Sequence, residues 1–344
     1  MNTTIAATDQ EQELSRAVGQ AVDLLVGGGV VALPTETVYG LAGDARNPEA
    51  VARIFELKER PYFDPLIVHV TDRDQLEEIA EIPAEIEGVV VELIEAFWPG
   101  PLSLILPKCA VIPDLVTSGK PTVAVRSSAH PVLRRVLSAF GGPLAAPSAN
   151  RFGRISPTSA SAVASELGGR IPLIVDGGAC RCGLESTILA VEPGSRKPLL
   201  RVLRRGPVTA EELKVFGEVH QGTADPGHQP LAPGQLESHY APGTPLRLLS
   251  EPGDFAPVEG RRYGLLSYRG RNKDGYLDLV EWDRVAVLSP GSGKLPEAAV
   301  RFFFLLRQLD EAGLDEIVAE PVPERGLGSA IMERLRRAAS KTSE

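Results

Sequence analysis

The chain has 344 residues, 43% hydrophobic and 24% charged, a composition that suits about two soluble globular domains and lies outside the disordered range. Acidic residues outnumber basic ones 45 to 36, for a net charge of −9, which argues against a chain built to coat nucleic acid but leaves room for a local basic cleft. No apolar run approaches the roughly 18 residues of a membrane span, so no membrane association is expected.

The N-terminal MNTTIAATDQEQE has neither a basic nor an apolar region and does not read as a signal peptide. Leu14, Val18, Val22 and Leu25 then recur at helical spacing, which predicts an amphipathic helix over 11–26, stopped by Gly27-Gly28-Gly29. Val30–Leu33 reads as a buried strand. Asn47-Pro48-Glu49 has the cap, first-position proline and early acid of a helix start, and that helix must end near Arg60, before Pro61. Further strands are expected at 66–70, 102–106, 122–126, 173–175, 187–191 and 199–203, with helices at 84–97, 131–140 and 157–167. The pattern is mixed α/β. Residues 217–244 are dense in Gly and Pro and read as a linker in which a stable helix or strand is not expected. A second α/β unit follows, with strands at 246–249, 263–268, 285–288 and 316–319 and helices at 296–312 and 329–339. The expected domains are therefore 1–216 and 245–344, joined by 217–244.

Several chemistries find no support. There is no G-x-x-x-x-G-K-[ST], no H-x-x-x-H or H-E-x-x-H, no paired C-x-x-C and no G-x-S-x-G. Gly326-Leu327-Gly328 begins a dinucleotide fingerprint that breaks at Ile331. Cys109, Cys180 and Cys182 cannot all pair, and the C-x-C has no nearby ligand partners, so a reduced, cytoplasmic protein without structural zinc is expected.

What remains is a set of strand ends carrying hydroxyls and cations. Pro34–Leu41 (PTETVYGL) forms a polar rim after a buried strand. Lys58 and Arg60 sit at a helix C-terminus, where the helix dipole favours cations, but the same pair can hold phosphates. His69 lies in LIVHV, a context more often of core histidines. Thr122, Ala124 and Arg126 share a strand face, and Arg126 suits either an internal salt bridge or a clamp for a ligand carboxylate. Ser148 and Asn150 stand in a small-residue loop. Ser156 reads as the cap of the next helix, whose N-terminus suits an anion. This set suits a nucleotide and a small anionic co-substrate, with catalysis by positioning and charge neutralisation.

The motifs PTETVYGLAGDA (34–45), KERP (58–61), PLIVHV (65–70), WPGPLSLIL (98–106), TVAVRSSAHP (122–131), PSANRFGRISPTSA (147–160), ESTIL (185–189) and LRRGPV (203–208) resemble the YrdC-like domain. APGQLESHYAPG (232–243) and GLGSAIMERLRRAA (326–339) resemble the two-domain threonylcarbamoyl-AMP synthase family. The resemblance implies a twisted mixed-sheet domain with a concave ligand cleft, followed by a smaller Rossmann-like α/β domain. It also implies synthesis of threonylcarbamoyl-adenylate from L-threonine, bicarbonate or CO2, and ATP with Mg2+, releasing pyrophosphate. The product would pass to a separate transferase that modifies tRNA. Carried over by motif position, Thr37, His69, Arg126 and Ser186 surround threonine. Lys58, Arg60, Asp64, Thr122, Ser148, Asn150, Ser156 and Arg204 hold ATP, with Arg205 competing with Arg204. Asp64 stands where the family often has asparagine. His239 and Tyr240 end the linker, which reads either as a spacer or, since a loop of this length can fold back, as a lid that places Tyr240 or His239 near the triphosphate. No covalent nucleophile is required. Two rivals are an RNA-binding module, using Lys58, Arg60, Arg126, Arg151, Arg154 and Arg204 on one face, and the related carbamoyl-adenylate domain of hydrogenase maturation, which works beside modules this chain lacks.

Overall fold

The computed structural model describes residues 2–222 and 239–340, and their contacts divide into two compact units. The first takes in the chain through Phe152, then Pro157–Arg181, then Glu185 to the end of the first described stretch. The second takes in Gly153–Ser156, Cys182–Leu184 and everything from His239.

The first unit holds eleven strands: β1 (Thr4–Ala7), β2 (Val31–Leu33), β3 (Gly40–Asp44), β4 (Ile67–His69), β5 (Leu102–Pro107), β6 (Thr122–Arg126), β7 (Leu144–Ala145), β8 (Leu173–Asp176), β9 (Thr187–Glu192), β10 (Leu199–Arg204) and β11 (Glu218–Gln221). They form one mixed sheet in the order β1-β8-β2-β3-β7-β4-β6-β5-β9-β10-β11. The helix Glu11–Val26 buries Ala17, Ala21 and Leu25, four residues apart and so on one face, within an apolar cluster that includes Val31 and Leu33. The helix Pro48–Lys58 begins where Asn47 accepts hydrogen bonds from the amides of Glu49 and Ala50. It ends at Glu59, whose φ of 55° breaks the helical path just before Arg60.

Three local differences separate the expected elements from the observed ones. The helix expected from 157 begins at Ala160, because the Ser159 hydroxyl, and not that of Ser156, accepts the Ala162 amide. The preceding chain is committed elsewhere: the carbonyls of Pro157 and Thr158 accept from the amides of Tyr39 and Cys180. The helix expected from 84 begins at Glu87. Inside the Gly/Pro-rich segment, Glu218–Gln221 forms β11, parallel to Leu199–Val202, so the sheet runs past Phe216. The rest of the expected lid, residues 223–238, lies outside the described residues.

The second unit contains β12 (Leu246–Leu248), β13 (Tyr263–Ser267), β14 (Arg284–Val287) and β15 (Glu316–Ala319) in the order β12-β15-β13-β14. All pairs are parallel, and the helices Leu295–Asp310 and Leu327–Ala339 complete the small α/β unit.

Candidate functional site

Strand register gathers the chemistry. In the β4–β6 pair Ile67 faces Ala124 and His69 faces Arg126. In the β5–β6 pair Ile105 faces Ala124 and Pro107 faces Thr122. Ser103 of β5 lies beside Ile188 of β9, and Arg204 of β10 beside the same Ile188. Side chains of paired residues share a face, so one face carries His69, Ser103, Arg126 and Arg204 at one end. Ile67, Ala124, Ile188 and Leu203 form its apolar floor, with Ile105 and Ala190 packed against them. An irregularity between Val202 and Arg204 lets Leu203 join the floor while Arg204 still turns to the polar end. Val123 and Val125 enter the main core on the opposite face. Thr122 and Arg126 mark the two ends of β6, about 13 Å apart at some 3.3 Å per residue.

At the Arg126 end every group is buried. The Arg126 guanidinium donates to the Gly100 carbonyl (3.0 Å) and the Thr37 hydroxyl (2.9 Å), and pairs with Glu36 at 2.6 Å. The Thr37 hydroxyl is placed by a tight turn in which Thr35 Oγ1 accepts the amides of Thr37 and Val38 and lies 2.8 Å from Thr37 Oγ1. Glu36 also accepts from the Ser128 hydroxyl. Burial works to raise the Glu36 pKa, but the charge of Arg126 and the hydrogen bonds from Ser128 and Arg126 outweigh it and bring it down to about 2. Glu36 and Ser128 were not among the expected site residues. The signal for Glu36 was its place between two threonines at a strand end, and for Ser128 only its place two residues past Arg126.

His69 is 3% exposed, and among the described residues neither ring nitrogen has a hydrogen-bond partner. Burial, reinforced by the charge of Arg126 and opposed by Glu36, pushes its pKa down to about 3, so the ring is neutral near pH 7. It is a buried histidine, as its apolar strand suggests, but not one satisfied by the core. Ser186, at the start of β9, shares a 2.8 Å hydrogen bond with Ser103. Its hydroxyl and carbonyl accept from Arg204 at 2.9 and 3.0 Å. Arg205 instead donates to Gln221 on β11, so Arg204 is the arginine that joins this group.

The second cluster surrounds Asp64, which is fully buried and pairs with Arg60 at 2.8 Å. Arg60 also donates to the carbonyls of Asp64 (3.0 Å) and Pro65 (2.7 Å). Burial raises the Asp64 pKa against the pull of Arg60, Lys58, Arg204 and Lys120. Lys58 is buried and points its ammonium at the carbonyls of Ser148 and Asn150. Burial and the neighbouring charge of Arg60 hold its pKa well below the usual lysine value. Its observed contacts therefore shape the 148–150 loop. Thr122, half-buried, opens β6. Ser156, His239 and Tyr240 belong by their contacts to the second unit. There Tyr240 is fully buried, 5.7 Å from the Phe303 ring and 5.4 Å from the Arg334 guanidinium.

Among the described residues no three His, Cys, Asp or Glu side chains are grouped to hold a metal ion, and no helix is long and apolar enough to cross a membrane.

Comparison with known proteins completes the picture. The family described as "Telomere recombination", which groups Sua5, YciO and YrdC proteins, matches residues 23–206. A second, described as "Threonylcarbamoyl-AMP synthase, C-terminal domain", matches residues 208–340. The threonylcarbamoyl-AMP synthase of Pyrococcus abyssi is 42% identical over 316 residues, 90% of each chain. That of Bacillus subtilis is 39% identical over 349 residues, 97% of this chain and 96% of its own. The crystal structure of P. abyssi Sua5 complexed with L-threonine matches with a TM-score of 0.82 at 36% identity, covering 99% of this chain and 98% of the other.

Proposed function

We propose that this chain, which belongs to the threonylcarbamoyl-AMP synthase family, joins L-threonine, bicarbonate-derived CO2 and ATP into threonylcarbamoyl-AMP and pyrophosphate. The observation that carries the reading is the register of β4, β6, β5, β9 and β10. It sets a guanidinium and a neutral imidazole at one end of an apolar floor, and Arg204 on the same face is within electrostatic reach of Asp64 and its cations. An amino acid suits the first end and a polyphosphate the cluster.

In this reading the threonine carboxylate takes a share of Arg126, whose terminal nitrogen is now given to Glu36, while Glu36 keeps its bond from Ser128. His69 and the Thr37 hydroxyl line the same pocket. His69, uncharged, adds no like charge beside the amine. Burial lowers the amine pKa, and the neutral amine captures CO2 and loses a proton to give the carbamate. A carbamate oxygen then bonds to the α-phosphorus as the bond to pyrophosphate breaks. No side chain need act as covalent nucleophile, so the rate comes from alignment and from cations facing the developing charge. Arg60 and Arg204 supply those cations, Thr122, Ser148 and Asn150 line the nucleotide, and Lys58 acts through the loop it holds.

Mg2+ enters on ATP as part of the substrate, held by phosphate oxygens and water, as magnesium usually is in nucleotide sites. Asp64, the carboxylate of the cluster, is already engaged by Arg60. The product passes to a separate transferase acting on tRNA. The RNA-binding alternative finds little support: Lys58, Arg60, Arg126 and Arg204 are each no more than 7% exposed and hydrogen-bonded inward, not spread as an exposed face.

Titration calorimetry on variants tests this division. Arg126→Lys should lose most L-threonine affinity and keep MgATP affinity within about twofold, because lysine cannot reproduce the fork. Arg60→Ala should do the reverse. Equal losses for both ligands in both variants would show that these residues are structural and overturn the reading.

A further inference from the structure

The cluster around Asp64 contains a cation that the motifs did not single out. Lys120 lies two residues before Thr122, in the turn leading into β6. Its backbone is tied at both ends: its amide donates to the Thr117 carbonyl (3.1 Å), and its carbonyl accepts from the Thr117 hydroxyl (2.9 Å). The turn is made by Ser118 and Gly119 at φ 56° and 75°, and Pro121 follows, so the root of the side chain has little freedom. The ammonium nitrogen is shielded from solvent, yet among the described residues it makes no hydrogen bond and no ion pair within 4 Å. A buried ammonium with three unused donors is costly unless something else takes them.

Asp64 is the carboxylate whose charge this ammonium feels. Neither Asp64 oxygen accepts a hydrogen bond, and its contact ion pair is with Arg60. Burial lowers the Lys120 pKa, and the attraction of Asp64 opposes that shift, so the two groups sense each other across a gap longer than an ion-pair contact. One buried carboxylate, in contact with Arg60, thus feels the charges of Arg60, Lys58, Arg204 and Lys120. Lys58 is occupied by two carbonyls, and Arg60 and Arg204 each already bond to neighbouring main chain and side chain. Lys120 has donors to give, and the charge balance of the cluster favours an added anion.

We propose that Lys120 is a phosphate-binding residue of the nucleotide subsite, and that Asp64 is the positioning carboxylate that holds Lys120 and Arg60 on either side of the space a phosphate enters. The proposal rests on the adenylation reading above. Lys120 would act as a point charge at the ATP phosphates, leaving the amino acid to Arg126, which lies at the far end of β6.

The experiment is calorimetry on the full chain with MgATP, adenosine and L-threonine as separate titrants. Lys120→Met should weaken MgATP about tenfold, the usual scale for one charge-assisted hydrogen bond. It should leave adenosine and L-threonine within twofold, and Lys120→Arg should restore most of the MgATP affinity. Asp64→Asn should tighten MgATP by more in Lys120→Met than in the wild-type background, where the relief of repulsion is partly cancelled because the carboxylate also places the lysine. MgATP binding within twofold of wild type in Lys120→Met would overturn the proposal. So would equal weakening of MgATP and L-threonine, which marks a structural lysine. A wild-type chain that binds no MgATP would instead overturn the adenylation reading, and this proposal with it.

Discussion

Glu36→Gln offers a sharp test of how the amino-acid end is built. The ordinary carboxyl pKa of 4.5 falls to about 2 in the folded chain, although burial alone would raise it. That shift of roughly two and a half units is worth about 3 kcal/mol at about 1.4 kcal/mol per unit. Glu36 is 7% exposed and its partner Arg126 3%, so solvent screening removes little of it. A carboxylate whose pKa is depressed on folding binds fewer protons in the folded state. Its contribution is complete above pH 4.5 and is lost as pH falls through about 2. Glutamine keeps the shape but cannot pair with Arg126, which is left buried with a weaker partner. Urea denaturation of wild type and Glu36→Gln, following the transition of the first unit, should show a deficit of about 3 kcal/mol near pH 7 that shrinks steadily below pH 4.5. A deficit that stays constant down to pH 2.5 would refute the argument, since it would mean that the Glu36 charge is not what stabilises this end.

Three further outcomes follow from the same geometry. His69 titrates near pH 3, so threonine binding between pH 5.5 and 8 should carry no inflection from it, and His69→Ala should raise the threonine KM more than the ATP KM; an imidazole titration near 6.5 that vanishes in His69→Ala would contradict its burial. Arg204→Ala removes two hydrogen bonds to Ser186 and should lower adenylate synthesis more than tenfold, whereas Arg205→Ala, bonded to Gln221 at the edge strand, should stay within about threefold. A chain ending at Phe216 loses β11 and uncovers the ladder edge of β10. It should melt several degrees below one ending at Gly222, and equal melting temperatures would show that β11 adds nothing.

Elements with strong local signals were legible in the sequence. The helix after Asn47 declares its cap, its first-position proline and its stop, β4, β6 and β9 appear as runs rich in β-branched residues, and β10 as a leucine-rich run. β3 was not legible, because Gly40–Asp44 is glycine-containing and becomes a strand only through its neighbours in the sheet. The same holds for β11, whose pairing partner lies some twenty residues earlier. At the site, motif order grouped Thr37, His69, Arg126 and Ser186 as candidates, and register explains why His69 and Arg126 meet at one end of one face. Two features needed coordinates. Arg126 was open between a salt bridge and a ligand clamp, and Glu36 occupies it. Lys58 read as a phosphate cation, but its ammonium is spent on the carbonyls of Ser148 and Asn150. Neither pairing is local in sequence, so no spacing rule could have shown it. That the shielded Lys120 ammonium feels the charge of Asp64 is hidden for the same reason.

The central claim is tested most directly by incubating the purified full chain with ATP, bicarbonate and L-threonine, and following pyrophosphate release together with the mass of the nucleotide product. The account predicts that pyrophosphate appears only when threonine and bicarbonate are both present, in step with a species of the mass of threonylcarbamoyl-AMP. Pyrophosphate release that continues unchanged when either threonine or bicarbonate is left out, or that comes with AMP as the sole nucleotide product from the first time points, would contradict it.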